Sequence, residues 1–153
     1  MTNSKKELAV AALRNGTVID HIPSDMLFKA VKILGIEQMT THITIGNNLD
    51  NKLLGTKGII KVADVFFPEE TYNRIALIAP GAKINIIRDF EVVEKRLVEL
   101  PDTITGIVRC GNPKCITNNE PMKTRFTVTD RNDVTIRCDY CGQSVKSSDA
   151  TID

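Results

Sequence analysis

The sequence predicts an α+β protein built in two parts. Over the first hundred residues, β-branched runs alternate with helical repeats in the order strand, helix, strand, strand, helix, strand, with one extra strand at the end. Near Leu100-Pro101 the composition shifts to Thr, Asn, Asp and Lys, with few large apolar side chains. All four cysteines lie beyond that point, in two close pairs. The first pattern is that of a split βαβ, ferredoxin-like unit, whose two helices cover one face of an antiparallel sheet and leave the other face open or used for binding. The second pattern predicts a small all-β unit. The expected units are residues 1–100 and 101–153.

The elements follow in order. Residues up to about Lys6 are polar and read as unstructured, and residues 7–13 suit the start of a helix or a strand. Asn15-Gly16 signals a turn. Thr17-Val18-Ile19-Asp20-His21-Ile22 is largely β-branched and reads as a strand ended by Pro23. Ser24 is a suitable N-cap for a helix in which Met26, Leu27, Ala30, Val31 and Leu34 recur at helical spacing, with Gly35 closing it. Residues 41–45 form a second strand, the Asn- and Gly-rich stretch 46–55 a loop, and 57–67 a third strand that is apolar on both faces in its middle. Pro68 fits a first helical turn, with Glu69 and Glu70 at the positive end of the helix dipole. Tyr72, Ile75, Ala76 and Ala79 supply the buried side of that helix, and Pro80-Gly81 ends it. Residues 82–87 and 90–93 are two further strands around an Arg88-Asp89 turn.

The cysteines read Cys110-x4-Cys115, then 22 residues, then Cys138-x2-Cys141. Gly111, Asn112 and Pro113 make the first interval a turn, as Asp139, Tyr140 and Gly142 do the second. Between the pairs, Phe126-Thr127-Val128 and Val134-Thr135-Ile136 predict a hairpin turning at residues 130–133. Two knuckles of this kind can place four thiolates in a tetrahedron, which is the shell of a structural Zn²⁺. A catalytic zinc keeps an open position, and four thiolates leave none. The expected unit is zinc-ribbon-like, with metal binding supplying much of its folding free energy.

Composition narrows the function classes. The formal net charge is +1, and residues 102–153 carry seven Lys/Arg against seven Asp/Glu. Neither part offers the basic surface on which nucleic-acid binding depends, so the rival reading, a zinc-ribbon nucleic-acid-binding protein, lacks its main driving force. No apolar run reaches membrane-spanning length, and the polar N-terminus lacks a signal core. The expected location is the cytoplasm, with no membrane partner. No nucleophile motif, phosphate loop or dinucleotide fingerprint is present, so no catalytic residue is assigned and the chain is not expected to be an enzyme.

Three places in the first unit carry polar chemistry. Lys57 and Lys61 are four apart on a strand and therefore share a face, an arrangement suited to a polyanion, although a solvated lysine pair has the same spacing. Asp20-His21 ends the first strand beside Pro23. Lys95 follows Glu91-Val92-Val93-Glu94.

Taken together, these segments resemble a known family. Arg14-Asn15-Gly16-Thr17-Val18-Ile19-Asp20-His21-Ile22-Pro23, Ile43-Thr44-Ile45-Gly46-Asn47-Asn48-Leu49, Gly55-Thr56-Lys57-Gly58-Ile59-Ile60-Lys61, Phe90-Glu91-Val92-Val93 and the four-cysteine pattern follow in the order found in the regulatory chain of aspartate carbamoyltransferase. The resemblance runs from about Leu8 to the second knuckle. It implies a non-catalytic subunit whose first domain binds CTP as inhibitor, ATP as activator and UTP together with CTP, thereby regulating the first committed step of pyrimidine biosynthesis. It also implies that the zinc domain docks on the catalytic chain, in an assembly of two catalytic trimers and three regulatory dimers. Carried over, the nucleotide site comprises Asp20 and His21 at the base or ribose, Lys57, Lys61 and Lys95 at ribose and phosphates, and Ala11, Ala12, Leu13, Asn85, Ile87 and Val92 around the base. Cys110, Cys115, Cys138 and Cys141 match the zinc ligands. The family pattern has tyrosine where Phe90 stands and glycine where Glu94 stands, and Glu94 is expected to set a negative charge beside Lys95.

Overall fold

The computed structural model describes residues 13–152. Its first sheet has five strands, β1 (Gly16–Pro23), β2 (Ile43–Asn51), β3 (Gly55–Ala63), β4 (Lys83–Arg88) and β5 (Glu91–Leu97), in the order β2-β3-β1-β4-β5. Every neighbouring pair is antiparallel. Helix α1 (Leu27–Leu34) joins β1 to β2, and helix α2 (Glu69–Ile75) joins β3 to β4. Each of these crossovers skips one strand, which is the split βαβ arrangement, and β5 is the added edge strand. The fold is α+β, as the sequence order implies.

Alternation along the strands separates the two faces. In β3, Gly58, Ile60 and Val62 are buried, whereas Lys57, Ile59 and Lys61 are partly exposed. Ile19, Ile60, Val62 and Ile84 meet Leu27, Ala30 and Leu34 of α1 and Tyr72 and Ile75 of α2 in the core. Thr17 is fully buried on this side, yet its hydroxyl is satisfied: it donates to the Val65 carbonyl at 2.7 Å and lies 3.3 Å from the Tyr72 hydroxyl. The Tyr72 hydroxyl in turn accepts the Phe67 N–H at 3.0 Å.

Several boundaries differ from the sequence expectation, each for a physical reason. Ser24 makes no capping bond; its hydroxyl donates to Thr56 Oγ1 at 2.8 Å, a 3-10 turn spans Ser24–Met26, and the α-helix begins only at Leu27. Gly35 does close it, at φ +66°, where its N–H reaches the Val31 and Lys32 carbonyls. The stretch from Gly46 is not a loop. A bulge with Asn48 at φ +58° keeps Leu49, Asp50 and Asn51 paired with Lys57, Thr56 and Gly55. Strand β3 stops at Ala63 because Asp64 takes φ +60°. Pro68 precedes α2 rather than entering it, and the α-helix ends at Ile75, with residues 76–79 continuing as hydrogen-bonded turns. The β4–β5 hairpin turns at Asp89 and Phe90, both at positive φ, not at Arg88-Asp89. The element expected over residues 7–13 lies, apart from Leu13, outside the described residues.

The second part is all β. Strands β6 (Thr103–Thr105), β8 (Arg125–Asp130), β9 (Thr135–Cys138) and β10 (Ser144–Lys146) form a sheet in the order β10-β9-β8-β6, and β7 (Val108–Arg109) pairs with β11 (Thr151–Ile152). Val134 belongs to the β8–β9 turn, at φ +54°, rather than to the strand. Phe126 and Ile136 are buried with Ile104, Val108, Val134 and Ile152. The two parts touch through α1 and β11: the Lys29 ammonium donates to the carbonyls of Ser148 at 2.6 Å and Ala150 at 2.9 Å.

Two-residue hairpins with both central residues at positive φ favour glycine, because a Cβ is strained there. Phe90 occupies the second of these positions and is exposed. Phe90→Gly is therefore expected to raise stability by about 1 kcal/mol, read as a higher denaturant midpoint with an unchanged slope.

Candidate functional sites

The first site lies on the face of the five-stranded sheet away from the helices. Register places Thr44, Lys61, Val18, Asn85 and Lys95 opposite one another in a single row across all five strands. In the next row, Asp20 faces Lys83, which faces Leu97. A bulge in β1 between Ile19 and Ile22 sets His21 at φ +62° and turns Asp20 toward β3. Asp20 Oδ1 accepts the His21 backbone N–H at 2.6 Å and the Lys57 ammonium at 2.8 Å. Lys57 and Asp20 are about one-fifth exposed, so the lysine is part of a largely buried ion pair rather than a solvated side chain. His21 Nδ1 is 3.5 Å from the same oxygen and is buried without a hydrogen-bond partner.

Asp20, His21, Asn85 and Lys95 line one cleft of about 330 Å³, together with Lys83, Ile84, Arg96 and Leu97. Lys57 borders it through Asp20, and Lys61 shares its face. Ile87 and Val92 are paired with each other farther along β4 and β5 and do not line the cleft. Leu13 is partly buried, and Ala11 and Ala12 lie outside the described residues. Glu94 does not act as anticipated: it precedes Lys95 on a strand, so it points to the opposite face, where it pairs with Arg96 at 3.0 Å. Arg96 also stands over the Tyr72 ring, 5.5 Å from its centroid. The cleft lining holds two cations that no motif marks, Lys83 and Arg96, and Arg96 is paired with Glu94. The signal for Lys83 was the alternation in Lys83-Ile84-Asn85, which puts Lys83 on the same face as Asn85.

The second site is the cysteine cluster. The four Sγ atoms lie within 4.8 Å of one another, with Cys110–Cys141 at 3.6 Å and Cys115–Cys138 at 3.7 Å. A disulfide would bring two sulfurs to about 2.0 Å. A tetrahedron with metal–sulfur bonds of about 2.3 Å has edges of about 3.8 Å, so these two pairs stand close to the spacing around a bound metal. Side-chain amides shape the first knuckle: Asn118 Nδ2 donates to the carbonyls of Cys110 and Asn112, both at 2.8 Å, and Asn119 Nδ2 to that of Cys115 at 2.8 Å. The second knuckle closes through Gly142 N–H to the Cys138 carbonyl at 2.9 Å, with Gly142 at φ +79°.

Burial pushes the Cys110 thiol up to about 12 and raises Cys138 as well. The Thr117 hydroxyl, 3.1 Å from Cys115 Sγ, lowers Cys115, and the Gln143 backbone N–H brings Cys141 down to about 7. Four thiolates this close repel one another strongly unless a cation neutralises them. The donor set fits a soft or borderline divalent metal with a closed shell.

Two family models match the chain in succession. The family model for the aspartate carbamoyltransferase regulatory chain, allosteric domain, matches residues 8–99, and that for the metal binding domain of the same chain matches residues 102–151. The chain belongs to the family of aspartate carbamoyltransferase regulatory chains. Relatives of that name include one from Bacteroides fragilis, 60% identical over 152 residues covering 99% of each chain, and one from Bacteroides thetaiotaomicron, 59% identical over the same span. A relative from Pyrococcus abyssi is 47% identical over 145 residues, 94% of this chain and 95% of its own. As a regulatory chain it is a non-catalytic subunit, and its second part is a metal-binding domain. Among the described residues no helix is long and apolar enough to cross a membrane.

Cysteines take up a metal as thiolates, so loading of this cluster would release protons. Metal binding holds the thiol pKa values below those of the metal-free chain; its stabilisation is therefore full at higher pH and lost as pH falls. Competition against a chromogenic chelator is expected to show weaker metal binding at pH 6 than at pH 8. Thr117→Val, which removes the hydroxyl beside Cys115, is expected to weaken it about tenfold or more at either pH.

Proposed function

We propose that the chain is the nucleotide-sensing subunit of aspartate carbamoyltransferase, taking CTP, ATP and UTP on the open face of its first sheet. The observation that carries this reading is the cross-strand row Lys61, Asn85, Lys95 beside the Asp20–Lys57 pair. Two ammonium groups at the ends of a row suit a polyphosphate, and an amide and a carboxylate between them suit the hydrogen-bonding edges of a ribose or base. Residues 1–100 form the effector domain. Residues 101–153 hold one Zn²⁺ through Cys110, Cys115, Cys138 and Cys141 and dock on the catalytic chain. The assembly is two catalytic trimers bridged by three dimers of this chain, in the cytoplasm, where thiols stay reduced, and it regulates the first committed step of pyrimidine biosynthesis.

The physical logic is linkage. Nucleotide binding alters a distant active site only by favouring one quaternary state, with a coupling of typically about 1–3 kcal/mol. A metal-clamped domain fixed to the catalytic chain is a rigid carrier for that bias. Glu94, turned away and paired with Arg96, leaves the charge of Lys95 available to phosphate.

Calorimetric titration is expected to show that Lys61→Ala weakens CTP and ATP together by about tenfold or more, since a charge-assisted hydrogen bond to phosphate contributes roughly 1.5–3 kcal/mol. Unchanged affinity for both nucleotides would remove Lys61 from the site. Asp20 is better tested as Asp20→Asn than as alanine, because the amide oxygen still accepts the His21 N–H while the charge is lost. Metal analysis of the native protein is expected to give about one zinc per chain. Cys138→Ser is expected to abolish both metal binding and co-sedimentation with catalytic trimers while nucleotide binding persists; retained co-sedimentation would assign docking to the other domain.

A further inference from the structure

We infer that Lys83 is a phosphate-binding residue of the effector cleft, acting with Lys95 to select nucleoside triphosphates over monophosphates by charge. This inference rests on the nucleotide reading above and extends it to a residue that no motif marks.

Lys83 lies opposite Asp20 on β1, and Lys95 lies opposite Asn85 on β4. Lys83 and Lys95 are thus diagonal neighbours on adjacent strands, with backbones roughly 7–8 Å apart, within reach of one polyphosphate for side chains of their length. Both line the same cleft as Asp20 and Asn85. Lys61 is two strands from Lys83, roughly 10 Å across the sheet.

Charge completes the case. The Asp20 carboxylate would repel an incoming polyanion, but Lys57 holds it at 2.8 Å from the β3 side. Glu94 is paired with Arg96 at 3.0 Å on the helix side of the sheet. Neither nearby carboxylate is engaged with Lys83, which is exposed on β4. Its ammonium therefore adds to the positive potential of the cleft at the end nearer β5. A contact of this kind reads phosphate charge and not the base, so it acts alike on CTP, ATP and UTP and has little to hold in a monophosphate or a nucleoside.

The test uses the full zinc-loaded chain assembled with its catalytic chain and titrated with CTP, ATP, CMP and AMP. Lys83→Ala is expected to weaken CTP and ATP by about tenfold each while changing CMP and AMP by less than about twofold, and Lys83→Arg is expected to retain most of the triphosphate affinity. If Lys83→Ala binds CTP and ATP as the unaltered chain does, the assignment of Lys83 is overturned while the nucleotide reading stands. Equal weakening of mono- and triphosphates would also overturn it, by showing a structural role. If the unaltered chain binds neither triphosphate, the nucleotide reading falls and the role of Lys83 falls with it.

Discussion

Strand β1 is paired along both edges, with β3 on one side and β4 on the other, so its backbone has no spare hydrogen-bonding groups over most of its length. A kink in such a strand leaves buried donors unpaired unless a side chain replaces the lost ladder bonds. At His21 the kink occurs, and Asp20 Oδ1 takes the His21 N–H. The same oxygen holds Lys57. One carboxylate thus repairs the central strand and fixes a cation at the edge of the open face. The arrangement of the cleft follows from it, because β3 and β4 take their register from β1 on either side of this point. A substitution at Asp20 that removes the acceptor would leave the His21 N–H without this bond and release the Lys57 ammonium.

The cysteine unit solves a different problem. Its core is small, with Phe126 the one large aromatic among its fully buried side chains. Around fifty residues cannot offset their conformational entropy with so little apolar burial. The knuckles hold four sulfurs close together by hydrogen bonds from Asn118, Asn119 and the Gly142 N–H. A metal bound among these sulfurs would add stabilisation and remove the repulsion among thiolates.

What was legible in the sequence was periodic or paired. Alternation in β3 placed Lys57 and Lys61 on one face, and the two cysteine intervals with their turn residues located the metal cluster. What was hidden depended on single residues in unusual backbone conformations. Asn48 at positive φ let β2 run on through a stretch with the composition of a loop, and Phe90 in the left-handed region moved a turn by one residue. The Asp20–Lys57 contact needed the bulge in β1, which no propensity encodes. Lys83 alternates with Asn85 in the sequence, but only the register across β1 and β4 gives it neighbours.

The Lys29 bridge has a mechanical consequence. Its ammonium reaches two carbonyls of the segment leading into β11, and β11 pairs with β7, the strand that runs directly into Cys110. Helix α1 packs on the sheet whose far face carries the cleft. A hinge between the two parts of the chain would have to stretch or exchange these two hydrogen bonds, and three flexible donors on one long side chain can trade acceptors at small cost. The joint is therefore compliant in rotation but resistant to separation, a swivel rather than a weld.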